Sequence, residues 1–191
     1  MEAFLVSTGL VALAEMGDRT QLLAVMLAGR FKRPVPILLG ILLATVASNV
    51  LAAVAGFYLS SFLNALWFKY IVSLSFIAMA MWALVPDKAE DEDKPPRAGL
   101  GVFLTTAVCF FVVEIGDKTQ IAAAALAAQF HDILLVTAGT TTGMMLANIP
   151  AVLLGHKFSQ KLPIEALRIA AAAVYVALGL WGMASALGLV K

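Results

Sequence analysis

Long apolar runs separated by short polar breaks make up most of the chain. A helix needs about 20 mostly apolar residues to cross a bilayer. Six runs reach that length, and the breaks between them hold charged residues, Asn, His or Pro. The predicted spans are 4–28, 35–59, 66–86, 100–128, 133–156 and 165–189. The pattern therefore predicts an all-α membrane protein with six transmembrane helices.

The composition supports a lipid bilayer as the environment of this chain. Of its 191 residues, 62% are hydrophobic and 13% are charged, whereas a typical soluble domain carries about 25% charged residues. The net charge of +1 argues against a nucleic-acid partner. The single cysteine, Cys109, excludes a disulfide framework and a four-cysteine zinc site. We expect no cofactor.

The longest break, residues 87–99, is acidic and contains two adjacent prolines. Such a segment cannot bury a core, so a solvated linker is the favoured interpretation. A weak cation-collecting or regulatory loop is the alternative. The break divides the chain into a first three-helix unit, residues 1–86, and a second, residues 100–191.

Basic residues are unevenly divided between the two sides of the predicted bundle. Of the 13 Lys and Arg residues, nine fall on one side, two on the other and two inside spans. The nine are Arg30, Lys32, Arg33, Lys88, Lys94, Arg97, Lys157, Lys161 and Arg168. Because cytoplasmic loops carry the excess of basic residues, we expect the acidic loop to face the cytoplasm and both termini to lie outside it.

A shift of 99 residues aligns the two halves of the chain without a gap. The matched pairs include Glu15 with Glu114, Gly17 with Gly116, Asp18 with Asp117, Thr20 with Thr119, Gln21 with Gln120, Gly40 with Gly139 and Asn49 with Asn148. Each half has three spans, so the second half must enter the membrane from the opposite side. Two inverted three-helix repeats are common in secondary transporters, whose substrate site lies near the bilayer midplane. Channels also use inverted repeats, so the symmetry supports transport without fixing its kinetic mechanism.

Six charged residues fall near the middle of the first and fourth predicted spans. They are Glu15, Asp18, Arg19, Glu114, Asp117 and Lys118. A charge at the centre of a membrane helix costs roughly 2.5–3.5 kcal/mol, so six without compensation cost on the order of 15–20 kcal/mol. That exceeds the whole stability of a typical protein. We therefore expect these groups to face a polar interior where they are paired, protonated or bound to an ion.

The spacing of these charges allows an ion pair within each motif. Glu15 and Arg19 are separated by four residues, as are Glu114 and Lys118. Across both motifs, four carboxylates and two basic residues leave a charge of −2, which one divalent cation or two protons would balance. The alternative is that the charged groups form salt bridges that only hold the bundle together.

Oxygen atoms dominate the side chains in and around the motifs. The candidate metal ligands are Glu15, Asp18, Gln21, Asn49, Glu114, Asp117, Gln120 and Asn148, with Gly17, Arg19, Thr20, Gly116, Lys118 and Thr119 in supporting positions. Hard oxygen donors suit Mg²⁺, Ca²⁺ or Mn²⁺ better than Zn²⁺ or Cu⁺. The two asparagines either bind the ion or clamp a contact between helices, since an amide in hydrocarbon needs a partner. The two glycines permit a helix break or a close helix contact.

The twin motifs, Glu15-x-Gly-Asp-Arg-Thr20 and Glu114-x-Gly-Asp-Lys-Thr119, resemble the signature of a family of cation/proton antiporters. These proteins handle Mn²⁺ and Ca²⁺ in Golgi and bacterial membranes, and the bacterial six-span members include the MneA-type manganese exporters. The resemblance covers the whole chain, and the doubling of the motif makes it specific. Arg19 stands where many members have Lys, which keeps the charge but changes the geometry.

The resemblance implies export of Mn²⁺ from the cytoplasm in exchange for protons, with the motif carboxylates as the ion-binding site. It also implies a bacterial form in the cytoplasmic (inner) membrane. A Ca²⁺/proton exchanger with the same site is an alternative, and a non-transporting membrane scaffold is a weaker one. We do not expect an enzyme, because the chain has no His-Glu-x-x-His motif and no nucleophile–base pair at membrane depth.

Overall fold

The computed structural model describes residues 1–62, 65–85, 101–154 and 163–189, and these residues form eight helices. The helices are α1 Glu2–Glu15, α2 Arg19–Phe31, α3 Pro34–Phe62, α4 Ala65–Ala83, α5 Gly101–Glu114, α6 Lys118–Phe130, α7 Ile133–Leu154 and α8 Ile164–Ala186. The predicted all-α class is confirmed. The predicted acidic loop 87–99 and the break at 157–161 lie outside the described residues.

The first and fourth predicted spans are broken helices. The sequence pattern predicts one span over 4–28 and one over 100–128, whereas the structure has two helices in each of these regions, α1 and α2 in the first and α5 and α6 in the second. The breaks contain Gly17 and Gly116, whose φ angles are +83° and +79°. This left-handed backbone favours glycine and cannot continue an α-helix. Of the two roles open to these glycines, the structure therefore shows the helix break.

Three helices of the described residues are long and apolar enough to cross a membrane by length and composition. They are Pro34–Ser60 within α3, the whole of α7, and Glu165–Ala186 within α8. Shorter apolar stretches are Lys69–Ala83 in α4 and Gly101–Glu114, which is α5. Large apolar side chains on the outer surface include Leu39, Trp67, Leu134 and Leu153. These features are those of a multi-pass membrane protein.

Helices α3 and α7 pack against each other and receive the broken helices from the other half. Helix α1 packs on α7, and α5 packs on α3; similarly, α2 packs on α7, and α6 packs on α3. The 99-residue shift relates each of these pairs to its counterpart. Helices α4 and α8 pack together, and they also touch α6 and α1 respectively. The packing brings the two helix breaks close enough for side chains of one motif to reach the other.

Candidate cation site

Asp18 and Asp117 cap the second part of each broken helix. The Oδ2 of Asp18 accepts a hydrogen bond from the backbone N–H of Thr20 at 3.3 Å, and the Oδ2 of Asp117 accepts one from Thr119 at 3.2 Å. A carboxylate at this position satisfies a free N–H group and is favoured by the helix dipole. Both aspartates are buried. Each is thus held at the helix break by its own motif.

Two ion pairs join a basic residue of one motif to the aspartate of the other. The Nζ of Lys118 lies 2.6 Å from the Oδ1 of Asp18, and the Nη2 of Arg19 lies 3.5 Å from the Oδ1 of Asp117. The sequence spacing instead allows each basic residue to pair with the glutamate four residues earlier in its own motif. That expectation needed an unbroken helix, and the turn at each glycine removes the four-residue register. The pairs therefore join the two halves of the chain.

Glu15, Asp18 and Asp117 form a buried cluster of three carboxylates. One oxygen from each lies within 4.8 Å of the others. The Oε2 of Glu15 accepts a hydrogen bond from the hydroxyl of Thr20 at 2.6 Å. Its Oε1 is buried and has no hydrogen-bond partner among the described residues. Carboxylates this close repel one another unless a proton or a cation lies between them, and oxygen ligands of this kind suit a hard divalent cation.

Glu114 is hydrogen-bonded to helix α3 and is not one of the three clustered carboxylates. Its Oε1 accepts a hydrogen bond from the hydroxyl of Thr45 at 3.0 Å, and its Oε2 accepts a short one from the hydroxyl of Ser48. Sequence reasoning missed both hydroxyl residues. Thr45 and Ser48 stand four residues and one residue before Asn49, so all three lie on one helix face. This spacing was an available signal that the two hydroxyls face the site.

The two motif glutamines close the helix breaks. The Oε1 of Gln21 accepts from the backbone N–H of Gly17 at 2.9 Å, and the Oε1 of Gln120 accepts from that of Gly116 at 2.9 Å. The Nε2 of Gln21 also donates to the carbonyl oxygen of Ala147 at 3.1 Å. These bonds stabilise the turns, and a ligand role for either glutamine stays a prediction.

The two asparagines differ in their contacts. The Nδ2 of Asn49 lies 3.4 Å from the hydroxyl of Thr141 and 3.7 Å from the sulfur of Met144, so it makes the predicted interhelical contact, between α3 and α7. The Nδ2 of Asn148 donates to the carbonyl of Met144 in its own helix at 3.0 Å. Its Oδ1 is buried without a hydrogen-bond partner in the described part of the chain. An ion-binding role remains a prediction for both.

Comparison with known proteins identifies the family to which this site belongs. A family model described as "Divalent cation/proton antiporter GDT1" matches residues 3–91 and 102–189, and each matched segment contains one motif. The chain belongs to the GDT1 family. The resemblance drawn from the twin motifs is confirmed. GDT1 proteins are transporters, in agreement with the expectation that the chain is not an enzyme.

Curated relatives extend over most of the chain. A Vibrio cholerae protein named "Putative manganese exporter" is 42% identical over 181 residues, covering 94% of this chain and 90% of that protein. A GDT1-like protein of Synechocystis is 30% identical over 179 residues, with 83% and 84% covered. GDT1-like protein 5 of Arabidopsis thaliana is 23% identical over 217 residues, with 94% of each chain covered. No solved structure matches the chain.

Proposed function

We propose that this GDT1 protein exports Mn²⁺ from the cytoplasm in exchange for protons. The observation that carries the proposal is the convergence of Glu15, Asp18 and Asp117 at the two helix breaks. Membership of a divalent cation/proton antiporter family supports the type of transport, and the relative named as a manganese exporter supports the ion. The oxygen-only character of the cluster agrees with Mn²⁺ or Ca²⁺ as substrate.

The architecture in this proposal is six spans in two inverted three-helix repeats, with the ion site between the repeats. Three observations support it: the broken helices occupy equivalent positions, their packing partners are exchanged between halves, and the ion pairs cross between motifs. Helix breaks at ion sites near the membrane midplane are common in transporters with inverted repeats. In the proposed orientation, both termini lie outside the cytoplasm of a bacterium and the chain lies in its inner membrane.

The net charge of the motif residues explains why one divalent cation would exchange for two protons. The four buried motif carboxylates and the two basic residues Arg19 and Lys118 sum to −2, which either one divalent cation or two protons can neutralise. This balance counts the charges of both motifs, and it does not require every carboxylate to contact the ion. A carboxylate oxygen that carries a proton is a poor cation ligand. Binding of Mn²⁺ from the cytoplasm therefore displaces protons from the acids, and protons arriving from the other side release Mn²⁺. The empty, unprotonated site is unfavourable in hydrocarbon, which makes the exchange obligatory.

Transport into proteoliposomes with an internal pH dye tests this function. Wild type should move Mn²⁺ with counter-movement of protons, and Asp117→Asn should not. A matched control is Asp132→Asn, because Asp132 caps α7 through the N–H of Leu135 at 2.9 Å and asparagine caps equally well. The same assay with Ca²⁺ tests the alternative substrate. If wild type moves neither cation under a pH gradient of either sign, the proposal is wrong.

A further inference from the structure

Two hydroxyl groups outside the motifs take up both oxygens of Glu114. Thr45 and Ser48 donate from α3 to the Oε1 and Oε2 of this carboxylate, and all three residues are buried. Glu114 is the last residue of α5, where the helix dipole disfavours a negative charge. Hydrogen bonds from two donors offset that disadvantage. The hydroxyls of Thr45 and Ser48 thus stabilise the Glu114 carboxylate at the end of α5 by hydrogen bonding.

The equivalent positions on α7 cannot do the same for Glu15. The 99-residue shift relates Thr45 to Met144 and Ser48 to Ala147, and neither of these side chains can donate an O–H hydrogen bond. Helix α1 packs on α7 just as α5 packs on α3. Glu15 is accordingly part of the carboxylate cluster, and one of its oxygens has no hydrogen-bond partner in the described residues.

The hydrogen bond from Ser48 to Glu114 can be exchanged for another one within α3. The hydroxyl of Ser48 also lies 3.2 Å from the backbone carbonyl of Thr45. A serine hydroxyl has one hydrogen to donate, so it can serve either the carboxylate or its own helix. If Glu114 moved away, Ser48 would turn to this carbonyl instead of being left unpaired. When Glu114 is released, the buried hydroxyl of Ser48 therefore still has an acceptor, the carbonyl oxygen of Thr45.

We infer that Thr45 and Ser48 are positioning residues of the cation site, which hold the Glu114 carboxylate on α3 and keep it out of the Glu15–Asp18–Asp117 cluster. The inference rests on the proposed function. Cation affinity rises with the number of charged ligands, but a transported ion must also leave its site. By withholding a fourth carboxylate, the α3 hydroxyls lower affinity and favour release.

The double variant Thr45→Val/Ser48→Ala tests the inference because it removes both donors and little volume. Freed from α3, Glu114 can join the cluster, so we expect Mn²⁺ to bind about ten-fold more tightly and the maximal transport rate to fall. Calorimetric titration of the purified protein gives the dissociation constant, and proteoliposome uptake gives KM and the maximal rate. Ordinary damage to the site would weaken binding, which is the opposite sign.

Two further variants control for the loss of hydroxyls in general. Thr106→Val/Ser75→Ala removes one Thr and one Ser hydroxyl whose hydrogen bonds among the described residues stay within their own helices, to Val102 at 2.8 Å and Val72 at 2.7 Å. It should bind and transport as wild type does. Thr45→Ser/Ser48→Thr keeps both donors and should also retain wild-type affinity.

Glu114→Gln completes the test as a double-mutant cycle. In wild type it should change Mn²⁺ affinity by no more than a few-fold, whereas in Thr45→Val/Ser48→Ala it should abolish the gain. If the double variant binds Mn²⁺ no more tightly than its control, or if Glu114→Gln has the same effect in both backgrounds, the inference is wrong while the proposed function stands. If wild type moves no divalent cation, the proposed function fails, and this inference fails with it.

Discussion

The aspartates of the two motifs have matching surroundings, whereas the glutamates do not. Asp18 and Asp117 each cap a helix and each pair with the basic residue of the other motif. Glu15 contributes to the three-carboxylate cluster, and Glu114 is bound by α3. The motifs carry the same pattern, so the motif alone does not decide where the glutamate goes.

The aspartates and the glutamates differ because the contact partners of the aspartates are repeated in both halves, whereas those of Glu114 are not. The partners of the aspartates are themselves motif residues and therefore occur twice. The partners of Glu114 lie on α3 at positions that do not repeat, since α7 has Met144 and Ala147 there. Internal repeats thus preserve a site only as far as its contacts are repeated, and the asymmetric contacts are where the halves acquire separate roles.

The largest expected effect tests the equivalence of the aspartates. Asp18→Asn and Asp117→Asn each remove one cluster carboxylate while leaving a side chain that can still cap its helix. We expect each to reduce the initial rate of Mn²⁺ uptake by at least about 100-fold, since even outer-shell partners of a metal site contribute about 10- to 100-fold. Uptake into proteoliposomes measures this. Loss in one variant with near-normal transport in the other would show that the aspartates are not equivalent.

The next effect tests the difference between the glutamates. Glu15→Gln should weaken equilibrium Mn²⁺ binding by about 10- to 100-fold, because Glu15 belongs to the cluster. Glu114→Gln should weaken it by no more than a few-fold, because Glu114 is occupied by Thr45 and Ser48. Calorimetric titration of the purified variants gives both constants. Equal losses would mean that both glutamates contact the ion.

The sequence predicts the repeated part of this comparison and not the asymmetric part. The motif predicts buried carboxylates in both halves, but it leaves each glycine open between a helix break and a close helix contact. The aspartate after each glycine, a favoured N-cap residue, was an available signal for the break. The contact between Glu114 and Thr45 depends on how α5 lies against α3, which is a matter of helix packing across 69 residues of chain. The pairing of α4 with α8 was equally inaccessible, because α4 is apolar with few polar positions to indicate a buried face.

A smaller effect tests whether the two halves pack alike. Gly40 of α3 faces α5, and Gly139 of α7 faces α1; an added Cβ would lie 2.7 Å from the carbonyl oxygen of Phe103 or 2.6 Å from that of Phe4. Gly40→Ala and Gly139→Ala should each destabilise the protein by about 1–3 kcal/mol through overpacking. Thermal unfolding in detergent measures the effect. Gly9→Ala is the control, because no neighbouring group of the described residues lies within 4 Å of its added Cβ, and it should not destabilise the protein.

The smallest effect distinguishes the two motif glutamines by one hydrogen bond. Gln21 and Gln120 make the same bond to the glycine of the helix break, but Gln21 is buried and also donates to the carbonyl of Ala147 on α7. One intramolecular hydrogen bond contributes about 1 kcal/mol. Gln21→Ala should therefore lower the free energy of unfolding by about 1 kcal/mol more than Gln120→Ala does. Chemical denaturation of both variants measures the difference. A larger loss in Gln120→Ala would mean that the helix break at Gly116 depends more on its glutamine than the hydrogen bonds of Gln120 indicate. The weaker of the two turns would then lie in the half that holds Glu114.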